Sequence, residues 1–164
     1  MKAEYQDVWF KHGIEVGGSH KIVELPFRRI TSRAIIVRKS DLALLGTLHR
    51  KGGKFALPGG NIEDGETAEE AIIRELDEER IQLIRPDPNW QETLAVDYYD
   101  GYKELCVWYI IPVKDVKLGE SEENIESRWI SQGEDAWYPY MRERIILNLC
   151  KLKPALAELS ISIS

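Results

Sequence analysis

Thr67-Ala68-Glu69-Glu70 is a helix-start signal. The threonine accepts from the free N–H groups of a first turn, and a glutamate three residues on reaches back to the cap. Before it stands Leu57-Pro58-Gly59-Gly60, whose glycines permit backbone conformations that other residues adopt only at a cost. Strand-forming runs flank this unit on both sides, at residues 33–37 and 42–48 before it and at 91–98 and 104–113 after it. Arg38-Lys39-Ser40-Asp41 separates the first pair as in a hairpin, and Asp100-Gly101 joins the second. A helix locked between two blocks of strands restricts the chain to a mixed sheet with helices packed on it. The helix is predicted over 68–80, a further strand near 125–130, and a second helix over 140–152, with Ile145, Ile146, Leu149 and Leu152 on its apolar face before Pro154. Residues 5–30 read as one or two strands ending near Pro26.

A chain of 164 residues suits one domain with a real core. We expect a single domain over 1–164, with an N-terminal strand extension at 1–30, a core at 31–152 and a tail at 153–164. The formal charge of -6 argues against a nucleic-acid partner. That charge is uneven: residues 21–54 hold nine Lys or Arg (Lys21, Arg28, Arg29, Arg33, Arg38, Lys39, Arg50, Lys51, Lys54) against Glu24 and Asp41. A basic block followed by an acidic one fits phosphate-binding cations set beside metal-binding carboxylates, or two solvated faces of opposite sign. Cys106 and Cys150 lack metal or redox spacing and read as buried thiols. No secretory leader is legible at the N-terminus. The longest apolar run, Cys106–Val113, is too short to span a bilayer. The expected location is cytoplasmic, with no membrane partner.

In the first helix, Glu75, Glu78 and Glu79 fall within an arc of roughly 100°, bordering the stripe made by Ile72, Ile73 and Leu76. Glu75 and Glu79 repel at i, i+4, and Glu78 and Glu79 lie in the last turn, where the helix dipole favours cations. Both effects oppose a merely solvated acidic face. A bound Mg²⁺ or Mn²⁺ reverses both, since hard oxygen ligands around a divalent ion hold carboxylates together.

These residues carry a resemblance. Gly60, five residues, Glu66, seven residues and Arg74-Glu75-Leu76-Asp77-Glu78-Glu79 resemble the box that defines the Nudix hydrolases. The resemblance covers most of a 23-residue motif with two fixed gaps. It departs at the end, where Ile81 stands in place of the usual Gly and Gln82 in place of an aliphatic residue. That Gly normally ends the helix, so the helix is expected to run on by a turn or to end differently. The resemblance implies a Nudix-like α/β (α+β) fold, with a mixed β-sheet sandwiched between α-helices. It also implies divalent-metal-dependent hydrolysis of a diphosphate bond in a nucleoside diphosphate linked to another moiety, with Mg²⁺ or Mn²⁺ as cofactor. Carried over position by position, Glu78 and Glu79 bind metal. Glu75, oriented by Arg74, binds a metal or its water and serves as general base, and Gly59 lends its carbonyl oxygen. Glu66 supports the loop. A further acidic ligand is expected in the loop before Trp129: Glu123 is the candidate, with Glu120, Glu122 and Glu126 as rivals.

Arg50, Lys51 and Lys54, with Gly60, lie near where the resemblance places the substrate's phosphates. Trp90, Tyr98, Tyr99, Trp137 and Tyr140 are aromatics suited either to stacking on a base or to the core. His12, His20 and His49 are scattered without ligand spacing. Two rival readings stand beside hydrolysis: a Nudix-like nucleotide-binding or regulatory domain, which Ile81 favours, and an assembly protein whose acidic helix is only surface. A homodimer is the expected oligomer, because the terminal segments outside the motif could pair between chains.

Overall fold

In the computed structural model, residues 29–84, 94–99, 104–122, 124–131 and 133–151 are described, with the backbone alone at 94–99 and 147–151. Their elements are β1 (Arg29–Arg38), β2 (Leu44–Leu48), β3 (Gly59–Asn61), α1 (Ala68–Glu78), β4 (Ile81–Ile84), β5 (Leu94–Tyr99), β6 (Glu104–Val113), β7 (Asp115–Leu118), β8 (Glu126–Ile130) and α2 (Pro139–Lys151).

The six-stranded sheet runs β5-β6-β1-β2-β8, with β3 also paired to β1. β1 and β6 are parallel over their full length, while the other pairs are antiparallel. One edge of β1 is shared: β3 takes Thr31, Ser32 and Arg33, and β2 takes Val37. That division draws the glycine turn onto the first half of the central strand. β4 and β7 form a separate ribbon.

Alternation along β1 sends successive side chains to opposite faces. Ile30, Ala34 and Ile36 join Ala68, Ile72 and Leu76 of α1 in one core, while Ile35 and Val37 join Trp108, Met141 and Ile145 in the other. The expected mixed sheet between helices is present. The predicted helix boundaries hold within two residues, and the expected β1–β2 hairpin is found. Three short strands, β3, β4 and β7, fall where none was expected. Two apolar positions differ from expectation: Ile73 is 50% exposed and Ile146 is 52% exposed. Each sits beside a buried neighbour (Ile72, Ile145), so each helix buries a narrower stripe than its apolar residues suggest. The predicted strands within 5–28, the Asp100-Gly101 turn, Leu152 and the tail lie outside the described residues.

Candidate active site

The cap forms as the sequence requires. Thr67 Oγ1 accepts from the Glu70 N–H at 3.1 Å, and the Glu70 carboxylate takes the Thr67 hydroxyl at 3.2 Å. The helix then buries Ala68, Ala71, Ile72 and Leu76, and with them Glu75.

Arg74 organises the site. Its Nε and Nη2 donate to the two oxygens of Glu66 at 2.7 and 3.0 Å, a bidentate pair. Nη2 also donates to the Asn61 carbonyl at 3.0 Å, and Nη1 to Glu75 Oε1 at 3.0 Å and to both Glu78 oxygens at 3.3 Å. Glu63 lies 3.8 Å away. One guanidinium thus faces four carboxylates. The bond from Arg74 holds the Glu66 carboxyl below its ordinary range against the opposing effect of burial, and a backbone N–H of Glu63 adds to it. The Arg74 charge is fixed more firmly still, chiefly by Glu66.

The glycine turn is fitted to this cluster. Gly59 has φ +138°, and a Cβ there would meet the Ser32 carbonyl oxygen at 2.1 Å. A Cβ on Gly60 would meet Glu75 Oε1 at 2.5 Å. The turn therefore lies directly against the Glu75 carboxylate. Glu75 is 9% exposed and Glu79 only 2%, whereas the Glu78 side chain is 40% exposed.

The helix ends at Glu78 and does not run on. Arg80 takes the left-handed conformation at φ +58°, and Ile81 is buried in the core as the first residue of β4. The box's closing pair of a left-handed residue and a buried aliphatic is thus present one residue early, carried by Arg80 and Ile81 in place of Ile81 and Gln82. The last turn contains no basic residue. Beyond β7, the Gly119 N–H donates to the Arg80 carbonyl at 2.9 Å and Ser121 Oγ to the Glu78 carbonyl at 3.1 Å, tying the acidic loop to the helix end. Glu120 and Glu122 flank Ser121 and are exposed. Glu126 opens β8, 4.0 Å from Arg128. Glu123 lies outside the described residues.

The structure brings Gly59, Gly60, Glu66, Arg74, Glu75 and Glu78 together and puts Glu79 at the same helix end. Among the described residues, no three His, Cys, Asp or Glu side chains already converge on one ligand position. The donor set is nevertheless hard oxygen, the chemistry that Mg²⁺ and Mn²⁺ prefer. The Gly60 cradle leaves the Glu75 carboxylate open to a close backbone approach, so the residues fit such an ion.

Arg50, Lys51 and Lys54 are exposed on the turn before β3. Not all of the basic block is available for phosphate: Arg33 is buried, and Arg38 is paired to Asp41 at 2.6 Å. Trp137 is 6% exposed and packs in the core, and the rings of Tyr138 and Tyr140 stack at 5.9 Å. His49 is exposed, with Nε2 3.5 Å from Thr47 Oγ1, and Cys106 is a buried thiol. Trp90, His12 and His20, and the side chains of Tyr98, Tyr99 and Cys150, lie outside the described residues. Sequence reading missed Ser32, whose Oγ donates to the Ala68 carbonyl at 2.9 Å, and also Glu63 and Ser121. Their partners are distant in sequence or are backbone atoms, and only Glu63, three residues before Glu66, carried a local hint.

A family model described as the NUDIX domain matches residues 28–144. The fold is similar to that of a bifunctional NMN adenylyltransferase/ADP ribose pyrophosphatase from Francisella tularensis, complexed with AMP and a Mn ion. That match has TM-score 0.62 and 22% identity, and covers 92% of this chain and 46% of that one. The chain thus spans about half the length of that relative. A NUDIX family hydrolase from Clostridium perfringens matches with TM-score 0.54 and 23% identity over 77% of this chain and 99% of that one. A C. elegans Ap4A hydrolase matches with TM-score 0.56 and 18% identity over 78% and 98%. No curated protein sequence matches significantly.

Proposed function

The chain belongs to the Nudix family, and from that premise we propose that it is a divalent-metal-dependent hydrolase of a diphosphate bond in a nucleoside diphosphate linked to another group. The observation that carries this reading is a crowd of carboxylates gathered around one guanidinium at the end of a helix. Arg74 faces Glu63, Glu66, Glu75 and Glu78, and Glu79 is buried at the cap of the same helix.

Glu75, Glu78 and Glu79, with the Gly59 carbonyl and an acid of the 120–126 loop (Glu123 foremost), would hold Mg²⁺ or Mn²⁺. When bound, the ion neutralises diphosphate oxygens and acidifies water. Glu75 accepts the proton of the attacking water as its oxygen bonds to phosphorus and the bridging P–O bond breaks, the electron pair leaving on the departing phosphate oxygen. Arg74 holds Glu75 by its Nη1 and is itself held by Glu66, so these two orient the base. Arg50 and Lys54, with the Gly60 backbone, bind phosphate oxygens. The binding-domain reading drew its support from Ile81, and the displaced helix end removes that support. Neither a homodimer nor a cytoplasmic location is needed by this chemistry, and both stay as expectations. Among the described residues, no helix is long and apolar enough to cross a membrane.

The test is phosphate or nucleotide release from a panel that begins with ADP-ribose and diadenosine polyphosphate and extends to sugar nucleotides, with Mg²⁺ or Mn²⁺. Wild type turns over at least one of them. Glu75→Gln lowers kcat by about 10²–10⁴, and Glu78→Gln and Glu79→Gln raise the metal concentration required. Wild type that binds a nucleotide and cleaves none of the panel would overturn the hydrolase reading. Metal that changes neither thermal stability nor binding would overturn the metal site.

A further inference from the structure

On the sheet face opposite α1 lies a buried charged cluster that the hydrolysis does not use. Glu104, 1% exposed, opens β6. Its Oε1 accepts from Thr31 Oγ1 at 2.5 Å and lies 3.6 Å from Arg33 Nε, while its Oε2 accepts from Arg144 Nη1 of α2 at 3.0 Å. Arg144 in turn covers the Trp108 ring at 4.9 Å. Two guanidiniums and one carboxylate are thus buried together where desolvation is costly. Such an arrangement calls for a task that a hydrophobic trio would not perform.

That task is visible in what Arg33 touches. Arg33 is the β1 partner of Gly59, and its Nη1 donates to the Leu57 carbonyl at 3.4 Å. The neighbouring residues of β1 hold the rest of the same segment. Ala34 N–H donates to the Pro58 carbonyl at 2.9 Å, the Ile30 carbonyl accepts from Ile62 N–H at 2.9 Å, and Ser32 Oγ binds the Ala68 carbonyl. Two adjacent side chains of one strand, pointing to opposite faces, thus pin both ends of the segment 57–68. That segment carries Gly59, Gly60, Glu63 and Glu66. Backbone ladders and the Leu57 side chain, which packs in one core with Met141 and Ile145, supply the remaining ties, and Arg33 adds a polar link from the turn to the far helix through Glu104 and Arg144.

We propose that Arg33, held in ion-pair range of Glu104, is a positioning residue that fixes the Leu57-Pro58-Gly59-Gly60 turn against the Glu75 carboxylate, so that α2 helps to brace the catalytic turn. The catalytic part of this claim rests on the hydrolase reading; the mechanical part does not. Hydrogen exchange on the metal-free protein therefore tests it independently. In Arg33→Met the amides of residues 57–62 exchange about tenfold faster, the size expected for losing a hydrogen bond from a charged donor. Those of α1 keep their wild-type rates. Arg33→Lys, which retains the charge and one donor, restores part of the protection and serves in place of Met should that variant not fold. Met141→Ala, which opens the same core without touching the cluster, lowers stability without selective exchange at 57–62. On an active substrate, Arg33→Met lowers kcat with KM within about twofold. Unchanged exchange at 57–62 in a folded Arg33 variant, or equal acceleration in Met141→Ala, overturns the proposal. Absence of hydrolysis by wild type would sink the activity reading and leave the exchange comparison to decide this one.

Discussion

At the residue scale, Arg80 shows how a family departure can be a displacement and not a loss. An isoleucine in the box's glycine position suggested a prolonged helix, because a β-branched residue does not adopt the left-handed conformation cheaply. The backbone turns instead at Arg80, at φ +58°, and Ile81 fills the core. The one-residue offset was not legible in the sequence. It depends on a choice between two turn positions that burial of Ile81 decides, and burial is a tertiary quantity. Arg80 bears a conformational penalty that glycine would not, and its side chain is exposed. Arg80→Gly is therefore expected to stabilise the protein by about 1 kcal/mol, raising Tm by roughly 2–4 °C in a thermal melt. A fall in Tm would mean that the Arg80 side chain contributes packing that outweighs the backbone strain.

At the element scale, α1 was the most legible part of the chain, because its start signal is local. Thr67 and Glu70 are three residues apart and meet as the sequence requires. Thr67→Ala is expected to cost about 1 kcal/mol, read as a lower urea midpoint at unchanged slope. A change in slope instead would show that the cap alters the unfolded ensemble. The carboxylates proposed to hold metal were legible for a similar reason: 100° per residue places Glu75, Glu78 and Glu79 on one side. Their burial was not, since the glycine turn that covers Glu75 arrives through β3, a three-residue strand with a loop-like composition. β4 and β7 went unread because each is only four residues long, below the length at which alternation can be counted. At this scale the box also makes a thermodynamic claim. A divalent ion bound only by the native carboxylates should stabilise the fold by about 2.7 kcal/mol at a hundredfold excess over its dissociation constant. Calorimetric titration with Mg²⁺ or Mn²⁺ reads this directly, and Glu79→Gln should remove most of it.

At the scale of the whole molecule, the two faces of the sheet hold charge in different ways, and acid should separate them. On the α1 face, four carboxylates gather around Arg74; on the α2 face, Glu104 sits between Arg33 and Arg144. Nothing local in the sequence joins Arg33, Glu104 and Arg144, which meet because β1 and β6 run parallel and α2 packs on the same face. Burial pushes the Glu104 carboxyl up, but Arg33, Arg144, the Thr31 hydroxyl and Arg29 together hold it below its ordinary value of 4.5. A carboxyl lowered by folding contributes stability that is fully present above the ordinary value and is lost as pH falls through the lowered one. Glu104→Gln removes the carboxylate that lies between two buried guanidiniums at neutral pH, a loss of about 3–5 kcal/mol. Protonation removes the same negative charge from wild type. The gap in unfolding free energy between the two proteins should therefore hold constant from pH 7 down to about 5 and then close as the solution is acidified below the ordinary carboxylate range. Taking the difference cancels Glu66, whose carboxyl is also lowered, through Arg74, and which loses its contribution over the same acid range in both proteins. A gap that stays constant through the acid limb would show that Glu104 contributes through shape and hydrogen bonding alone, without its charge.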